Sequence, residues 1–547
     1  MAESSTLFKL LDLDPHYEIE RPKLDADAII REAQRDPRDV ELLYTFSHEY
    51  IQSYHHETEP MYIPRRRFPL HQAILLRAPI RVVEVLSCPT ALKDARAALH
   101  LALLFNPHPS WDVVMLLLKR HPEAVKEYDF DGEVTLDLFF RRRAPLEVVS
   151  LLLKSWPDAT KQKNFEGKTT LHLACECGSP LEVVSLLLSN WTGALKEKNS
   201  YGFTPLHSAC QFGAPFEIVS SLLRNWTDAL KETTGNGKTS LHLACENGAS
   251  LEVVSLLLSS WPDALRQKNI HGLTPLRSAC DNRASLEIVS LLLSSWTDAS
   301  KEKDIYSKTP LHSACDNGAS LELVSLLLKS WPGALKEKTT FGATPLHLAC
   351  RRRACLELVS LILGSWSDAV KEKDSFGATP LHLACENGAS LEVVSLILAN
   401  WPGASKEKNH FGELPINKAC KNKAPFQIIL LLLDKWLEDT EHRNIHDVES
   451  LEFNASEDVK KLLSHVSFLF IDEVNNNIPS IEIKNFFVSI NWSKGLFMVI
   501  NKYSSITKTL DLHINVMADF LSVIGKCCSL TTMWQVVINE QELLKGA

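Results

Sequence analysis

The chain has 547 residues, a formal net charge of −9, and 45% hydrophobic and 23% charged residues, a composition typical of a soluble folded protein. A negative charge argues against non-specific binding to nucleic acid, because that binding depends largely on Lys and Arg at the phosphates. The start MAESSTLFKLLDLD lacks the basic segment and apolar core of a secretory signal, and the longest purely apolar run, residues 428–433, is far shorter than the ~18 residues of a membrane span. We therefore expect a soluble intracellular protein, in the cytoplasm or the nucleus, with no membrane insertion and no nucleic-acid partner.

The N-terminal segment, residues 1–65, contains no repeat, and we predict that it forms a helical cap. Within it, residues 28–33 and residues 40–54 have the spacing of apolar side chains that is typical of helices. A cap of this kind shields the first repeat of an array from water.

Residues 66–444 are built from a module that returns every 35 residues. Its clearest copy is residues 377–401, GATPLHLACENGASLEVVSLILANW. Trp recurs at one position of the module, at Trp156, Trp191, Trp226, Trp261, Trp296, Trp331, Trp366, Trp401 and Trp436. A fixed period of this length predicts a solenoid, in which each module packs on its neighbours. We expect each Trp ring to cover the seam between adjacent second helices.

Each module is predicted to form two short helices. Thr379 caps the first helix, and Pro380 occupies its first position, where the missing N–H has no cost. Gly388 ends this helix at a position suited to positive φ. Ser390 opens the second helix, whose apolar stripe is too wide for one module to bury alone. The modules must therefore stack.

These residues resemble the ankyrin repeat, in the order GxTPLHxAC, Gly and LEVVSLLL. The usual period of that family is about two residues shorter. The resemblance covers residues 66–444 and implies an all-α solenoid of helix–loop–helix units with projecting β-turn fingers. It also implies a concave protein-binding face and no catalytic residue. We count about eleven repeats, of which the first three are degenerate.

The C-terminal segment, residues 445–547, has no repeat and is predicted to be helical. Helical spacing of apolar residues occurs at 458–472, 481–500, 512–527 and 531–544. About 100 residues are enough for a small helical domain. We interpret this segment as a helical C-terminal cap, and a second binding module is the alternative.

Cysteine and histidine each recur at one position of the module. The cysteines are Cys175, Cys210, Cys245, Cys280, Cys315, Cys350, Cys385 and Cys420, and the histidines are His172, His207, His242, His312, His347 and His382. Neighbouring copies should lie roughly 8–10 Å apart, too far for a disulfide or for shared ligation of a metal ion. We therefore interpret the cysteines as small buried residues and predict no metal site. In the ankyrin family this histidine braces the turn by hydrogen bonds.

Motifs of known enzyme classes are missing from the chain. It has no GxSxG, no GxxxxGK[ST], no HExxH and no GxGxxG that opens a helix after a strand. We therefore predict a protein that is not an enzyme and has no cofactor.

The positions that vary between modules are the candidate binding residues. The residue before the finger glycine, or before Ser307 in one copy, is aromatic in the last copies, at Tyr306, Phe341, Phe376 and Phe411. Exposed aromatic residues are favoured in protein interfaces. The alternative is that each Phe folds back on the next finger and is buried.

Cations follow the first helix of two late modules, where they should line the concave face. They are Arg351, Arg352, Arg353, Lys421 and Lys423. Arg353 and Lys423, like Arg143 and Arg283, stand where sister modules have Gly, so a positive φ would cost on the order of 1 kcal/mol. A functional need for a cation and drift in a tolerant solenoid are equally good explanations.

Together these patterns predict a non-catalytic scaffold that binds a protein partner. The partner would be an extended peptide or a helix with apolar and acidic residues, held by the aromatic residues and cations named above. One alternative is an adaptor, in which the repeats capture a client and the C-terminal helices dock other machinery. A second alternative is an architectural spacer without a selective partner.

Overall fold

The computed structural model describes residues 5–15, 24–47, 50–52, 61–63, 66–93, 95–104, 109–126, 135–437, 456–470 and 480–502. The chain divides into two compact units, Met1–Asp304 and Ile305–Ala547. In the described residues almost all regular structure is helical, which confirms the predicted all-α solenoid. None of these helices is long and apolar enough to cross a membrane.

The first unit begins with α1 (Thr6–Leu11), α2 (Ala26–Arg35) and a 3₁₀ helix at Asp39–Glu41. The strands that follow are β1 (Tyr44–Thr45), β2 (Tyr50–Gln52), β3 (Met61–Ile63) and β4 (Arg66–Arg67). β1 pairs with β4, and β2 pairs with β3, both in antiparallel register. The helix predicted over residues 28–33 is therefore confirmed as part of α2.

The helix predicted over residues 40–54 is wrong. Tyr44 and Phe46 are each 1% exposed, whereas Thr45 between them is exposed, and this alternation is the period of a strand. Phe8 of α1 packs on both rings, with ring centroids 5.6 Å from Tyr44 and 5.4 Å from Phe46. The N-terminal cap thus contains strands as well as helices.

Seven helix pairs follow in the first unit, each with a first helix at the TPLH-type motif and a second helix after it. They are α3 (Pro69–Leu75) with α4 (Ile80–Leu86), α6 (Ala95–Leu104) with α7 (Trp111–Arg120), α8 (Thr135–Arg141) with α9 (Leu146–Ser155), α10 (Thr170–Glu176) with α11 (Leu181–Asn190), α12 (Pro205–Gln211) with α13 (Phe216–Asn225), α14 (Ser240–Glu246) with α15 (Leu251–Ser260), and α16 (Pro275–Asp281) with α17 (Leu286–Ser295). A further short helix, α5 (Pro89–Lys93), lies between the first two pairs.

The second unit contains four more pairs and then three helices outside the repeat. The pairs are α18 (Pro310–Asn317) with α19 (Leu321–Ser330), α20 (Pro345–Arg351) with α21 (Leu356–Ser365), α22 (Pro380–Asn387) with α23 (Leu391–Asn400), and α24 (Pro415–Lys421) with α25 (Phe426–Trp436). The last helices are α26 (Glu457–Phe470), α27 (Ser480–Ser489) and α28 (Ser493–Lys502). The helix predicted over residues 481–500 is interrupted, because the chain turns at Asn491 with a φ of 54°.

The C-terminal helices pack on the last repeat. The Trp492 indole N–H donates to a carboxylate oxygen of Asp434 in α25 at 2.6 Å, and the Lys494 ammonium donates to the Asp434 carbonyl at 2.6 Å. Trp492 is 3% exposed, and its partner Asp434 is half-buried. The helices predicted at 512–527 and 531–544 lie outside the described residues.

A 3₁₀ helix follows the second helix in nine of the described repeats, and the sequence patterns did not predict it. These 3₁₀ helices are Pro122–Lys126, Pro157–Lys161, Thr192–Lys196, Thr227–Lys231, Pro262–Arg266, Thr297–Lys301, Pro332–Lys336, Ser367–Lys371 and Pro402–Lys406. The repeated Trp is the last residue before eight of these 3₁₀ helices, and His121 stands before the first. Trp296 lines a groove of about 360 Å³ with Leu258, Leu265 and Leu291, between α15 and α17. Trp296 thus borders the groove between these two second helices, and coverage of the seam by the ring stays a prediction.

The repeated histidine links its module to the next in five copies, at His172, His242, His312, His347 and His382. The Thr379 N–H donates to Nδ1 of His382 at 3.1 Å, and Nε2 of His382 lies 3.1 Å from the Glu413 carbonyl oxygen, which belongs to the following finger. Nδ1 is therefore the acceptor and Nε2 carries the proton. Burial lowers the pKa of His347, which makes the equivalent contacts, to about 4. The interpretation of this histidine as structural is confirmed.

Candidate partner-binding surface

Large aromatic side chains are exposed at the finger tips of the second unit. Phe341, Phe376 and Phe411 are 57%, 51% and 70% exposed, and Tyr306 is 50% exposed. We call Phe341, Phe376 and Phe411 the aromatic fingertips. Their exposure excludes the alternative in which each Phe is buried against the next finger.

Each finger is a tight turn whose backbone is fixed by local hydrogen bonds. In the finger of Phe376, Gly377 has a φ of 73° and its N–H donates to the Asp374 carbonyl at 3.0 Å. The Asp374 carboxylate accepts the N–H groups of Phe376 at 2.9 Å and Ala378 at 2.8 Å. The turn therefore requires a left-handed backbone at Gly377 and an acceptor side chain at Asp374.

Successive fingers are joined by backbone hydrogen bonds. The carbonyl of Phe341 accepts the N–H of Ser375 at 2.9 Å, and the carbonyl of Phe376 accepts the N–H of His410 at 2.8 Å. The Tyr306 carbonyl accepts the Thr340 N–H at 2.9 Å in the same way. The backbone of each fingertip is thus held in place while its side chain is left to solvent.

Stacked helix pairs joined by such fingers agree with a family comparison. A model of ankyrin repeats, in three copies, matches residues 141–229, 209–303, 285–369 and 353–444. The chain belongs to the ankyrin-repeat family. No curated protein matches it in sequence. Ankyrin repeats generally serve as protein–protein interaction modules and are typically non-catalytic.

Two of the cations predicted to frame the site converge on one carboxylate of the preceding ankyrin repeat. Arg351 Nη2 and Arg352 Nε lie 2.9 Å and 3.0 Å from the same oxygen, Oδ1 of Asp316. Lys308 Nζ lies 3.0 Å from the other oxygen, Oδ2. We call Lys308, Asp316, Arg351 and Arg352 the Asp316 cluster. Burial raises the pKa of Asp316, but its hydrogen bonds to the three cations outweigh burial and hold that pKa well below its usual range.

Lys421 belongs to a second cluster, in the last ankyrin repeat. It forms an ion pair with Glu413, and Lys418 lies 3.0 Å from Glu413 and 3.1 Å from Glu386. Burial raises the pKa of Glu413, but hydrogen bonds to Lys421, Asn409 and Lys418 lower it to about 2. This Glu413 cluster pairs two cations with two carboxylates, so it is balanced in charge.

Arg353 and Lys423 have the left-handed backbone that their alignment with glycine predicts. Their φ angles are 56° and 52°. Arg353 Nε donates to the carbonyl of Asn387, the last residue of α22 in the next repeat. In the first unit Arg143, with a φ of 54°, donates in the same way to the Cys177 carbonyl after α10, at 3.0 Å. An arginine at this position donates a hydrogen bond to a backbone carbonyl at the C-terminal end of a helix in the next repeat. This structural role is neither of the two explanations drawn from the sequence, which were a functional need for a cation and drift.

The sequence analysis missed the acidic members of both clusters. Asp316 and Arg351 occupy the same position of successive modules, and residues at equal positions of a solenoid lie in adjacent layers. Lys308 precedes Asp316 by eight residues, a spacing that recurs in the ion pairs of Lys168 with Glu176 and of Lys238 with Glu246. This recurrence is the signal that could have found the clusters.

The described residues contain no group of three or more His, Cys, Asp or Glu side chains that could hold a metal ion. The repeated cysteines are buried and free, and burial raises the pKa of the Cys350 thiol to about 12. A thiol with so high a pKa is a poor nucleophile at neutral pH, because the thiolate is the reactive form. The two cysteines at 527 and 528 lie outside the described residues.

Proposed function

We propose that this chain is a non-catalytic scaffold that holds a protein partner along the aromatic fingertips of the second unit. The observation that carries the proposal is the exposure of Phe341, Phe376 and Phe411 on consecutive hydrogen-bonded fingers. A side chain that is half or more exposed contributes little to folding, so a partner can bury it at no cost to the stack. Large aromatic side chains of this kind are enriched at protein interfaces.

The spacing of the fingertips favours an extended peptide or one face of a helix. Adjacent repeats lie roughly 8–10 Å apart, so three fingertips span about 16–20 Å. Over that length a peptide can place one apolar residue on each Phe. Contacts of this type concentrate the binding energy in a few anchors.

The cations beside the fingertips favour acidic residues in the partner. Arg351 and Arg352 keep 44% and 56% of their side-chain surfaces exposed although both contact Asp316. Lys423 is exposed as well. We propose that these side chains select carboxylates or other anionic groups next to the apolar residues of the partner. A cytoplasmic location stays a prediction.

The contacts of the C-terminal helices support a cap rather than a separate docking module. Asp434 of the last repeat binds both Trp492 and Lys494, and α26 packs on α25. The adaptor and spacer alternatives differ from the scaffold in which peptides the full-length chain binds. A spacer binds no peptide selectively, whereas an adaptor binds one peptide on the repeats and another on α26–α28.

The proposal can be tested by selecting a displayed library of random peptides on the full-length chain. We expect enrichment of peptides with regularly spaced apolar residues beside acidic ones. Phe341→Ser/Phe376→Ser/Phe411→Ser should abolish their binding and leave the melting temperature nearly unchanged, because the replaced rings are exposed.

The matched control is Phe165→Ser/Tyr201→Ser/Ile270→Ser, which removes exposed apolar residues from fingers of the first unit. This variant should bind the selected peptides like the natural chain. Retention of binding by the fingertip variant would show that the site is elsewhere. Failure to enrich any peptide would favour the spacer.

A further inference from the structure

We propose that a groove on the repeats of the first unit binds an arginine side chain of a peptide partner. The groove has a volume of about 820 Å³, and Glu176, Tyr201, Phe203, Phe212 and Gly235 line it. Volumes of about 300–1,000 Å³ are typical of ligand sites. We call it the Tyr201 groove. It is formed by residues of the first unit, so this inference does not depend on the aromatic fingertips of the second unit.

Phe212 stands where five sister modules have asparagine, at Asn247, Asn282, Asn317, Asn387 and Asn422. In four of them the side-chain amide donates to the carbonyl four residues earlier, as Asn247 does to Leu243 at 2.9 Å. Phe212 cannot donate this hydrogen bond, and its ring is 53% exposed. The fold therefore gains little from a phenylalanine here, whereas a partner that covers the ring would gain its burial.

Gly235 leaves the groove open beside Tyr201. The same finger position carries a side chain in the other modules, at Phe165, Ser200, Ile270, Ile305, Thr340, Ser375 and His410. The φ of Gly235 lies outside the left-handed region, so the backbone does not require glycine there. The Gly235 N–H donates to the Tyr201 carbonyl at 2.9 Å, and the Tyr201 ring is 62% exposed. A missing side chain next to an exposed ring leaves room for a side chain of a partner.

The layer of the groove lacks the ion pair of the layers on either side. Lys168 lies 2.8 Å from Glu176 in the layer before it, and Lys238 lies 2.7 Å from Glu246 in the layer after it. Phe203 occupies the position of these lysines in the layer between them. The Tyr201 groove is therefore an aromatic surface between two charged layers.

The carboxylates beside the rings share one cation. Lys168 lies 2.7 Å from Glu166 and 2.8 Å from Glu176, and these two carboxylates have no other cation in contact among the described residues. The second lysine of the groove, Lys198, pairs with Glu232 at 2.7 Å. The charges that line and flank the groove thus favour a cationic side chain over an anionic one.

The remaining capacity of Glu176 fits a guanidinium. One of its oxygens contacts Lys168, and the other accepts the Ser208 hydroxyl at 3.1 Å. Since each carboxylate oxygen can accept two hydrogen bonds, Glu176 can still accept an N–H from a ligand. Because Glu176, Tyr201 and Phe212 line the same groove, one guanidinium can contact a ring and this carboxylate together.

Arginine fits these contacts better than lysine. A cation is attracted to the face of an aromatic ring, and the planar guanidinium also stacks on it. Its N–H groups donate to a carboxylate in a fork, whereas an ammonium is a strongly hydrated point charge. The ligand of the Tyr201 groove is therefore a peptide segment with an exposed arginine.

The test uses the full-length chain and three degenerate peptide pools of matched flanking composition. Their fixed central residue is arginine, lysine or citrulline, which has the shape of arginine without its charge. Fluorescence anisotropy measures each affinity. The arginine pool should bind at least about tenfold more tightly than the citrulline pool, because a hydrogen bond between charged groups contributes about that factor. It should also bind more tightly than the lysine pool.

The decisive variant is Tyr201→Asn/Phe212→Asn, which introduces the residues that the next module carries at these positions, Asn236 and Asn247. It should bind the arginine and citrulline pools equally without a fall in melting temperature. Glu176→Gln should lose most of the preference for arginine and leave the binding of the citrulline pool unchanged. The matched control, Phe165→Ser/Ile270→Ser, removes exposed apolar residues from other fingers of the first unit and should keep the preference.

The outcomes separate this inference from the proposed function. Equal binding of the arginine pool and either other pool, or no binding of any pool, overturns the arginine site. A preference that survives in the Tyr201→Asn/Phe212→Asn variant overturns it as well. A preference that is lost in the fingertip triple variant instead places the arginine on the second unit and also overturns it. The scaffold proposal is tested on its own selected peptides and stands or fails separately.

Discussion

The two units are made from one module, yet their surfaces differ. In the first unit the residues before the finger glycines are Glu166, Tyr201, Asn236 and His271, which share no chemical character. In the second unit the residues at the same position are Tyr306, which precedes Ser307, and then the three aromatic fingertips. The buried positions change little between the units, since Thr, His, Ala and Cys recur in most modules, although Arg277 and Asn417 replace the histidine in two. The modules thus keep the same packing and differ at the finger tips, so consecutive aromatic fingertips occur in only one part of the repeats.

The cations make the same distinction. In the first unit Lys168 contacts Glu166 and Glu176, and Lys238 contacts Glu246, whereas in the second unit Arg351, Arg352 and Lys308 all contact the single carboxylate of Asp316. Both units place an arginine of positive φ against the next helix, at Arg143 and Arg353. A cation at that position is therefore shared structure, and the cations of Arg351 and Arg352 are what distinguishes the second unit.

The largest expected effect is a loss of stability in acid that both units share. Burial lowers the pKa of His172, His207, His242 and His347 from 6.5 to about 4. Because the folded state binds these protons less readily than the unfolded state, their contribution is fully present above pH ~6.5 and is lost as the pH falls towards ~4. The free energy of unfolding, from urea titrations, should drop steeply over this window.

Amide hydrogen exchange should show where the acid effect acts. Exchange should quicken to a similar degree in α10, α12 and α14 of the first unit and in α20 of the second, since each contains one of these histidines. A free energy of unfolding that stays constant between pH ~7 and ~4 would contradict the prediction that the buried histidines destabilise the fold in acid. A loss of stability in one unit alone would contradict the prediction that both units share this effect.

A smaller effect is expected where one repeat departs from the common core. Arg277 replaces the histidine in α16 and contacts Asp281 and Asp304, with side chains of Arg277 and Asp304 only 5% and 4% exposed. Removing one partner of a buried ion pair typically costs about 3–5 kcal/mol, so Arg277→Gln should destabilise the chain by roughly 3 kcal/mol. Chemical denaturation measures the change. His242→Gln, which removes neutral hydrogen bonds, is the matched comparison and should cost about 1–2 kcal/mol.

The smallest effect is expected at the arginines of positive φ. Arg353→Gly removes the hydrogen bond to Asn387, worth about 1 kcal/mol, and relieves a backbone strain of about the same size. The net change in unfolding free energy should therefore stay below about 1 kcal/mol. Arg353→Ala keeps the strain and loses the bond, so it should be less stable than Arg353→Gly by about 1 kcal/mol. Arg143→Gly should behave like Arg353→Gly. A clear gain in stability at either site would support the explanation that these arginines arose by drift and have no structural role.

Most of the fold could be predicted because the module repeats. The alignment of Arg353 with Gly388 predicted a left-handed backbone at Arg353, and Thr379 with Pro380 predicted the start of a helix. The N-terminal segment offered no second copy for comparison. There the apolar residues fitted a helical period, and the alternation of Tyr44 and Phe46 that makes a strand was overlooked.

The candidate site was only partly predictable. The exposure of the aromatic fingertips could be predicted, because the glycine that follows each Phe places it at the tip of a turn. The partners of the cations did not follow, because charge pairing depends on contacts between layers, such as Arg351 with Asp316. The 3₁₀ helix after each Trp was missed because five residues are too few to show a period.

The backbone hydrogen bonds between successive fingers fix the distance from one finger tip to the next. Phe341, Phe376 and Phe411 are spaced by backbone bonds between fingers, so their separation does not depend on which side chains the tips carry. Duplication or loss of a module would therefore change the number of fingertips and leave the interval between them unaltered. In the proposed scaffold, each added module would lengthen the bound peptide by one fixed interval, and the side chain at one tip could change without moving the next.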